Sequence, residues 1–182
     1  MLSRRFLIVA LVLLAGAGAA VLAVALVGGE RGGSPGGSGA DSTEPVSGPP
    51  IHLSGPDVTT GRTIGLSELA DKAVVLTVWA SWCRACPKQA APLRQFLDRH
   101  AEARFLAVDT QEDAGAARAF LAAHDLTLPT IADQDGHLAA KLGVRELPTT
   151  LFLAKDHRVA ALWEGPAQVG RLRAGLAAAK GE

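Results

Sequence analysis

The sequence predicts an α/β domain, with a mixed central sheet flanked by helices, behind an N-terminal transmembrane helix and a flexible linker. A long uncharged apolar run stands near the N-terminus, and a segment rich in Gly, Ser and Pro follows it. Beyond them, β-branched runs alternate with segments of helical spacing, which is the pattern of an α/β domain. The predicted boundaries are 1–5 for a cytoplasmic N-terminus, 6–27 for the anchor, 28–50 for the linker and 51–182 for the domain.

The apolar run extends from Phe6 to Val27 and contains no charged residue. At about 1.5 Å per residue, a helix of that length crosses a bilayer core of about 30 Å. Arg4 and Arg5 precede it and only a mixed pair follows, so we expect the domain to lie outside the cytoplasm. A cleaved signal peptide is the alternative, but apolar sequence that continues through Val27 favours an uncleaved anchor.

The linker, 28–50, offers almost nothing to bury, and we expect it to be disordered. The remainder is of ordinary single-domain size and can bury a core. The formal net charge is +0 and no basic run stands out, so nothing indicates nucleic-acid binding. We expect a monomer.

Periodicity and turn residues predict the elements of the domain in order. They are strands at Ile51 to Leu53 and Thr63 to Gly65 around a turn at Thr59 to Gly61, a helical turn capped by Ser67, a buried strand at Ala73 to Trp79, a helix at Cys83 to His100, a strand at Arg104 to Val108, a helix at Glu112 to His124, an extended piece at Leu128 to Ala132, a helix at Leu138 to Leu142, strands at Thr149 to Leu153 and Val159 to Trp163, and a helix at Val169 to Ala179. This order predicts a sheet that is parallel first and antiparallel at one edge.

The chemistry depends on Cys83 and Cys86, the chain's two cysteines. Structural zinc needs four ligands, and the five histidines are scattered singly. A structural disulfide across so short a loop stabilises little. A copper site of two thiols and one histidine stays open as an alternative. The position of the pair, after a buried strand and at a helix start, favours redox chemistry.

A thiolate at a helix N-terminus meets unpaired N–H groups and the positive end of the helix dipole, which lowers its pKa. Cys83, at the helix start, is therefore the predicted nucleophile, and Cys86 then resolves the mixed disulfide. Pro87 is compatible with this helix, because a proline in the first turn gives up only an N–H without an intrahelical partner.

At these residues the chain resembles a known family. "VVLTVWASWCRAC", with "GVRELPTTLFL" further along, resembles the thioredoxin fold and, within it, the membrane-anchored TlpA/ResA-like thiol–disulfide oxidoreductases. The resemblance implies an enzyme at the cell membrane whose catalytic domain is extracytoplasmic. It implies no cofactor beyond the Cys83–Cys86 disulfide. The implied partners are exported cysteine-containing proteins and a membrane redox donor or acceptor.

The resemblance also implies further site residues. Pro148 is expected to be a cis-proline opposite the cysteines, and Leu147 to offer its backbone to substrate. Trp82 either flanks the site or joins the core, whereas Trp79 is expected in the core and Trp163 to pack. Glu146 either tunes the site or is a solvated loop charge.

Three departures from the family pattern stand out. Ala85 replaces a common proline, and Pro92, which is expected to kink the helix, falls one residue late. Thr77 occupies the position at which thioredoxins place a buried Asp, so water or an acid from elsewhere must take the proton of Cys86.

The family includes reductants that keep apocytochrome c thiols free and oxidants that form disulfides. Arg84 adds a cation beside Cys83 and favours a more oxidising couple, an effect that is modest if Arg84 is exposed. The family favours a reductase, which is our prediction, with an oxidant as the alternative. A peroxidase on this fold needs a P-x-x-x-T-x-x-C arrangement, which "LTVWASWC" lacks.

Overall fold

The computed structural model describes residues 48–101 and 103–182. The predicted anchor, 6–27, and the predicted linker up to residue 47 lie outside this part of the chain. Among the helices that are described, none combines the length and the apolar character needed to cross a bilayer.

The described chain opens with an antiparallel hairpin of β1 (Ser54–Pro56) and β2 (Thr63–Gly65), followed by a 3-10 helix at Leu66–Leu69. The turn of this hairpin is held by Asp57, whose backbone carbonyl accepts from the N–H of Gly61 at 2.8 Å. Gly61 has a φ of 70°, a left-handed conformation that glycine adopts without strain.

A five-stranded mixed sheet forms the centre of the domain. Its strands are β3 (Val74–Trp79), β4 (Arg104–Thr110), β5 (Thr130–Asp133), β6 (Thr149–Leu153) and β7 (Val159–Glu164). In space the order is β5-β4-β3-β6-β7. The first three strands are parallel, whereas β6 and β7 join as antiparallel neighbours. The prediction of a parallel sheet with an antiparallel edge is confirmed.

Four α-helices complete the part of the domain that the structure describes: α1 (Pro87–Arg99), α2 (Ala114–Ala123), α3 (His137–Lys141) and α4 (Val169–Lys180). Because side chains alternate along a strand, β3 contributes to two separate hydrophobic clusters, one on each face of the sheet. One cluster contains Val75 and Trp79 together with residues of α1, α2 and α4. The other contains Leu76 and Val78 together with residues of the 3-10 helix and α3. All six residues of β3 are buried, as its β-branched sequence predicted.

Several predicted boundaries need correction. β1 begins at Ser54, after the predicted strand at Ile51 to Leu53. Ser67 does not cap the short helical turn, because it lies inside that turn and Gly65 occupies the cap position. The predicted helix at Cys83 to His100 begins only at Pro87, so both cysteines lie in the turn before it.

Candidate active site

The two cysteines form a disulfide at the point where β3 ends and α1 begins. Their Cα atoms are 5.4 Å apart. The N–H of Cys83 donates to the carbonyl of Ala80 at 3.2 Å, and the N–H of Cys86 donates to the carbonyl of Cys83 at 3.1 Å. Both sulfurs therefore lie at the edge of the sheet where β3 ends, and the turn leads directly into α1.

The two cysteines differ in accessibility. Cys83 is 6% exposed and Cys86 is 1% exposed. The N–H of Cys86 also donates to the Sγ atom of Cys83 at 3.1 Å. In the reduced protein this donor and the helix dipole would both favour the thiolate form of Cys83. The geometry agrees with Cys83 as nucleophile and Cys86 as resolving residue, which stay predictions.

Trp82 lies next to Cys83 and is 54% exposed. Of the two predicted positions, flanking the site or joining the core, it therefore occupies the first. Trp79 is in the core as predicted, with its ring centroid 4.5 Å from that of Phe120. Trp163 packs against the same cluster, also as predicted. Arg84 is exposed, and solvent therefore screens its effect on the disulfide.

The start of β6 lies beside this turn. Thr149 pairs with Val78, so Pro148 reaches the edge at which β3 ends. The Leu147–Pro148 peptide bond is cis, as the resemblance implied. Leu147 packs against the cluster that contains both cysteines, and within the described residues its N–H and C=O have no hydrogen-bond partner. An extended substrate segment can bind to these two groups. Glu146 is exposed, in keeping with a solvated loop charge.

Gln89, in the first turn of α1, is a buried polar residue that sequence reasoning missed. Its amide donates to the hydroxyl of Thr77 at 3.2 Å, so the position of the thioredoxin Asp holds a neutral hydrogen-bonded pair. Together with Cys86, Gln89 lines a small cavity. Helical spacing could have indicated that Gln89 is buried, because it lies on the same face of α1 as Leu93 and Phe96.

Two carboxyl groups near the turn were also missed. Asp109 is the cross-strand neighbour of Trp79, is 0% exposed and accepts no hydrogen bond from any described residue. Burial, and next the adjacent Glu112, raise the pKa of Asp109 to about 9. Asp109 is therefore protonated at neutral pH, and its carboxyl proton can be donated to Glu112.

Glu112 connects this carboxyl pair to the cysteine turn. It accepts a hydrogen bond from the N–H of Ser81 at 2.5 Å and a second from the Ser81 hydroxyl. The sequence carried a signal for this contact, since acidic residues follow β4 directly. The carboxyl ends of neighbouring parallel strands meet at one edge of a sheet, so these residues could be expected near the cysteine turn. Within residues 48–101 and 103–182, no group of three or more His, Cys, Asp or Glu side chains is arranged to hold a metal ion.

A mixed sheet with a Cys-x-x-Cys pair before a helix and a cis-proline beside it defines the class of thioredoxin-fold thiol–disulfide oxidoreductases. Residues 49–162, more than half of the sequence, match the AhpC/TSA family. The chain belongs to that family.

Named relatives agree with this class. The chain is 30% identical over 101 residues to thiol-disulfide oxidoreductase ResA of Bacillus thuringiensis subsp. konkukian, a match that covers 54% of this chain and 58% of the relative. It is 30% identical over 105 residues to ResA of Bacillus subtilis, covering 56% and 58%. The chain thus spans somewhat more than half the length of the curated relatives it matches.

A solved structure of a DsbF homologue from Corynebacterium diphtheriae is also similar. The two chains are 26% identical with a TM-score of 0.66, and the match covers 79% of this chain and 95% of the other. The predictions of a thioredoxin-like fold and of a ResA-like protein are confirmed.

Proposed function

We propose that the protein is a membrane-anchored thiol–disulfide oxidoreductase that exchanges disulfides with partner proteins outside the cytoplasm. The observation that carries the proposal is the Cys83–Cys86 disulfide just before α1, beside the backbone groups of Leu147, which have no hydrogen-bond partner among the described residues. The ResA relatives and the uncharged run at 6–27 support it. The chain requires no cofactor for this chemistry, because its own two sulfurs carry the electrons.

We infer further that it works as a reductase. In the reducing direction, the Cys83 thiolate attacks one sulfur of a partner disulfide, that S–S bond breaks, and the first partner thiolate leaves and is protonated. The Cys86 thiolate, formed by loss of its proton, then attacks Cys83 in the mixed disulfide and releases the second partner thiolate. Two electrons pass to the partner, and the protein is left as the Cys83–Cys86 disulfide. A membrane dithiol protein must reduce it again.

Of the two side-chain charges at the turn, the less screened one favours this direction. Arg84, the cation that would stabilise a thiolate, is exposed and screened. Glu112, bound to Ser81, brings a half-buried carboxylate to the turn that carries Cys83. A negative charge there opposes the thiolate, and a less stable reduced form makes the couple more reducing. Apocytochrome c in its disulfide form is the proposed substrate, and its reduction yields the free thiols that cytochrome c maturation requires.

The reduction potential of the Cys83–Cys86 couple tests the direction. The full chain is equilibrated with glutathione buffers, and the reduced fraction is measured by thiol labelling. A value below about −230 mV supports the reductase, because reductive thioredoxins are near −270 mV. A value above about −180 mV would instead indicate the oxidant of exported proteins. If no redox couple can be measured, the proposal is rejected and copper binding becomes the favoured interpretation of the two cysteines.

The order of attack has its own test. Cys86→Ser should leave mixed disulfides with partner proteins, since nothing resolves them. Cys83→Ser, the matched control, should leave none. The reverse pattern would make Cys86 the nucleophile.

A further inference from the structure

The turn that carries Cys83 is tied to a distant part of the chain by one side chain, Glu112. One carboxylate oxygen accepts from the N–H of Ser81 at 2.5 Å, and the other accepts from the Ser81 hydroxyl. Within the described residues, these are the only hydrogen bonds from residues 81–86 to a segment beyond the turn and α1. Trp82, between Ser81 and Cys83, is exposed and adds little packing.

Glu112 is itself held firmly. It lies in the short connection between β4 and α2, and its neighbour Asp113 caps α2 by accepting from the N–H of Gly115 at 2.7 Å and of Ala116 at 3.2 Å. On the other side, the Asp109 carboxyl group at the end of β4 is within hydrogen-bonding reach of Glu112. A strand end and a helix cap therefore fix the point from which Glu112 reaches the turn.

We propose that Glu112 is a positioning residue for thiol–disulfide exchange, because its two oxygens hold Ser81 and thereby fix the place of Cys83 at the start of α1. The inference rests on the proposed function. Exchange requires three sulfurs in line, and a small displacement of an attacking atom slows a reaction strongly. The alignment of Cys83 with the N–H of Cys86 depends on the same turn.

This role depends on the reach of the side chain, which separates it from an effect of charge. Glu112→Asp keeps the negative charge but is one methylene shorter, so it cannot hold both donors of Ser81. Glu112→Gln keeps the length and one acceptor but removes the charge. Asp113→Asn is the matched control, because it removes the adjacent charge while Asn remains a good helix cap.

The experiment measures the second-order rate constant of the reduced full chain with oxidised glutathione, per folded molecule, and the pH profile of Cys83 alkylation by iodoacetamide. We expect Glu112→Asp to slow exchange about tenfold and Glu112→Gln about threefold. The alkylation profile of Glu112→Asp should move to higher pH, since the thiolate loses its alignment with the Cys86 donor. Asp113→Asn should change neither quantity.

Ser81→Ala provides a second, independent measurement if Glu112→Asp folds poorly. It removes the hydroxyl donor only, and we expect exchange about threefold slower in the wild-type background. In the Glu112→Asp background it should have no further effect, because the two residues act through one contact. Urea unfolding of each variant verifies that folded protein is being compared.

Three results would overturn the inference: Glu112→Asp within twofold of wild type, Glu112→Gln slower than Glu112→Asp, or additive effects of Ser81→Ala and Glu112→Asp. Each leaves the proposed function intact, because wild type still exchanges. A wild-type protein that does not react with oxidised glutathione at all would overturn the proposed function, and the inference with it.

Discussion

Replacing Asp109 by Asn should stabilise the protein, by an amount that grows with pH. The side chain is 0% exposed and accepts no hydrogen bond from the described residues. Burial first, then a hydrogen bond with Glu112 and the charges of Glu112, Asp113 and Asp133, raise the pKa of Asp109 to about 9, whereas an ordinary Asp titrates at 3.8. Between these values the folded protein binds one proton more than the unfolded chain.

The sign and the size of the effect follow from that proton. Because the folded state holds it and the unfolded state does not, stability is lost as pH rises from about 4 to about 9, by up to about 1.4 kcal/mol per pH unit. At pH 7 the accumulated cost is about 4 kcal/mol as an upper limit, over roughly three units. Asn resembles the neutral acid in shape and polarity but requires no proton, so it removes this cost.

Urea unfolding followed by tryptophan fluorescence is a suitable assay, since Trp79 is buried beside Asp109. We expect the free energy of unfolding of Asp109→Asn to exceed that of wild type by about 2 to 4 kcal/mol at pH 7. The difference should shrink steadily toward pH 5. Parallel curves for the two proteins between pH 5 and pH 8 would show that Asp109 is ionised in the fold, and would refute the reasoning.

Three further predictions concern other parts of the domain. A Cβ at Gly175 would overlap the ring of Phe152, so Gly175→Ala should cost about 1 to 3 kcal/mol in urea unfolding. Gly170→Ala in the same helix, with nothing within 4 Å, should instead be neutral or slightly stabilising. Burial raises the pKa of Asp57, but hydrogen bonds from Thr60 and Thr130 outweigh this effect and lower the pKa overall. Because Asp57→Ala removes these hydrogen bonds, it should cost about 1 to 3 kcal/mol in the free energy of unfolding at pH 7. That cost should diminish as pH falls below about 4, because protonation removes the wild-type advantage; a constant cost would contradict it. Trp82→Ala should leave the free energy of unfolding within about 0.5 kcal/mol of wild type. It should raise the KM for protein substrates without slowing the reaction with small disulfides.

Much of the fold could be predicted because its strongest signals are local. The run at β3 is β-branched throughout, and a strand of that composition fits best where both faces are covered. Leu93 and Phe96 are three residues apart, a spacing that places them on one face of α1, and both are in the core. Boundaries were less well predicted, as at β1, because strand ends depend on pairing with β2 rather than on the residues alone.

The candidate site likewise combines features that the sequence predicts with features that only the folded structure creates. The sequence by itself determined the reacting pair, its position before a helix and the proline at the head of β6, since these depend on short spacings along the chain. Only the tertiary structure decided what surrounds the pair. Ser81 and Glu112 are 31 residues apart and meet only because β3 and β4 are parallel neighbours. Asp109 is protonated because that pairing buries it beside other carboxyl groups. A pKa and a hydrogen bond are properties of an environment, and folding creates that environment from distant segments.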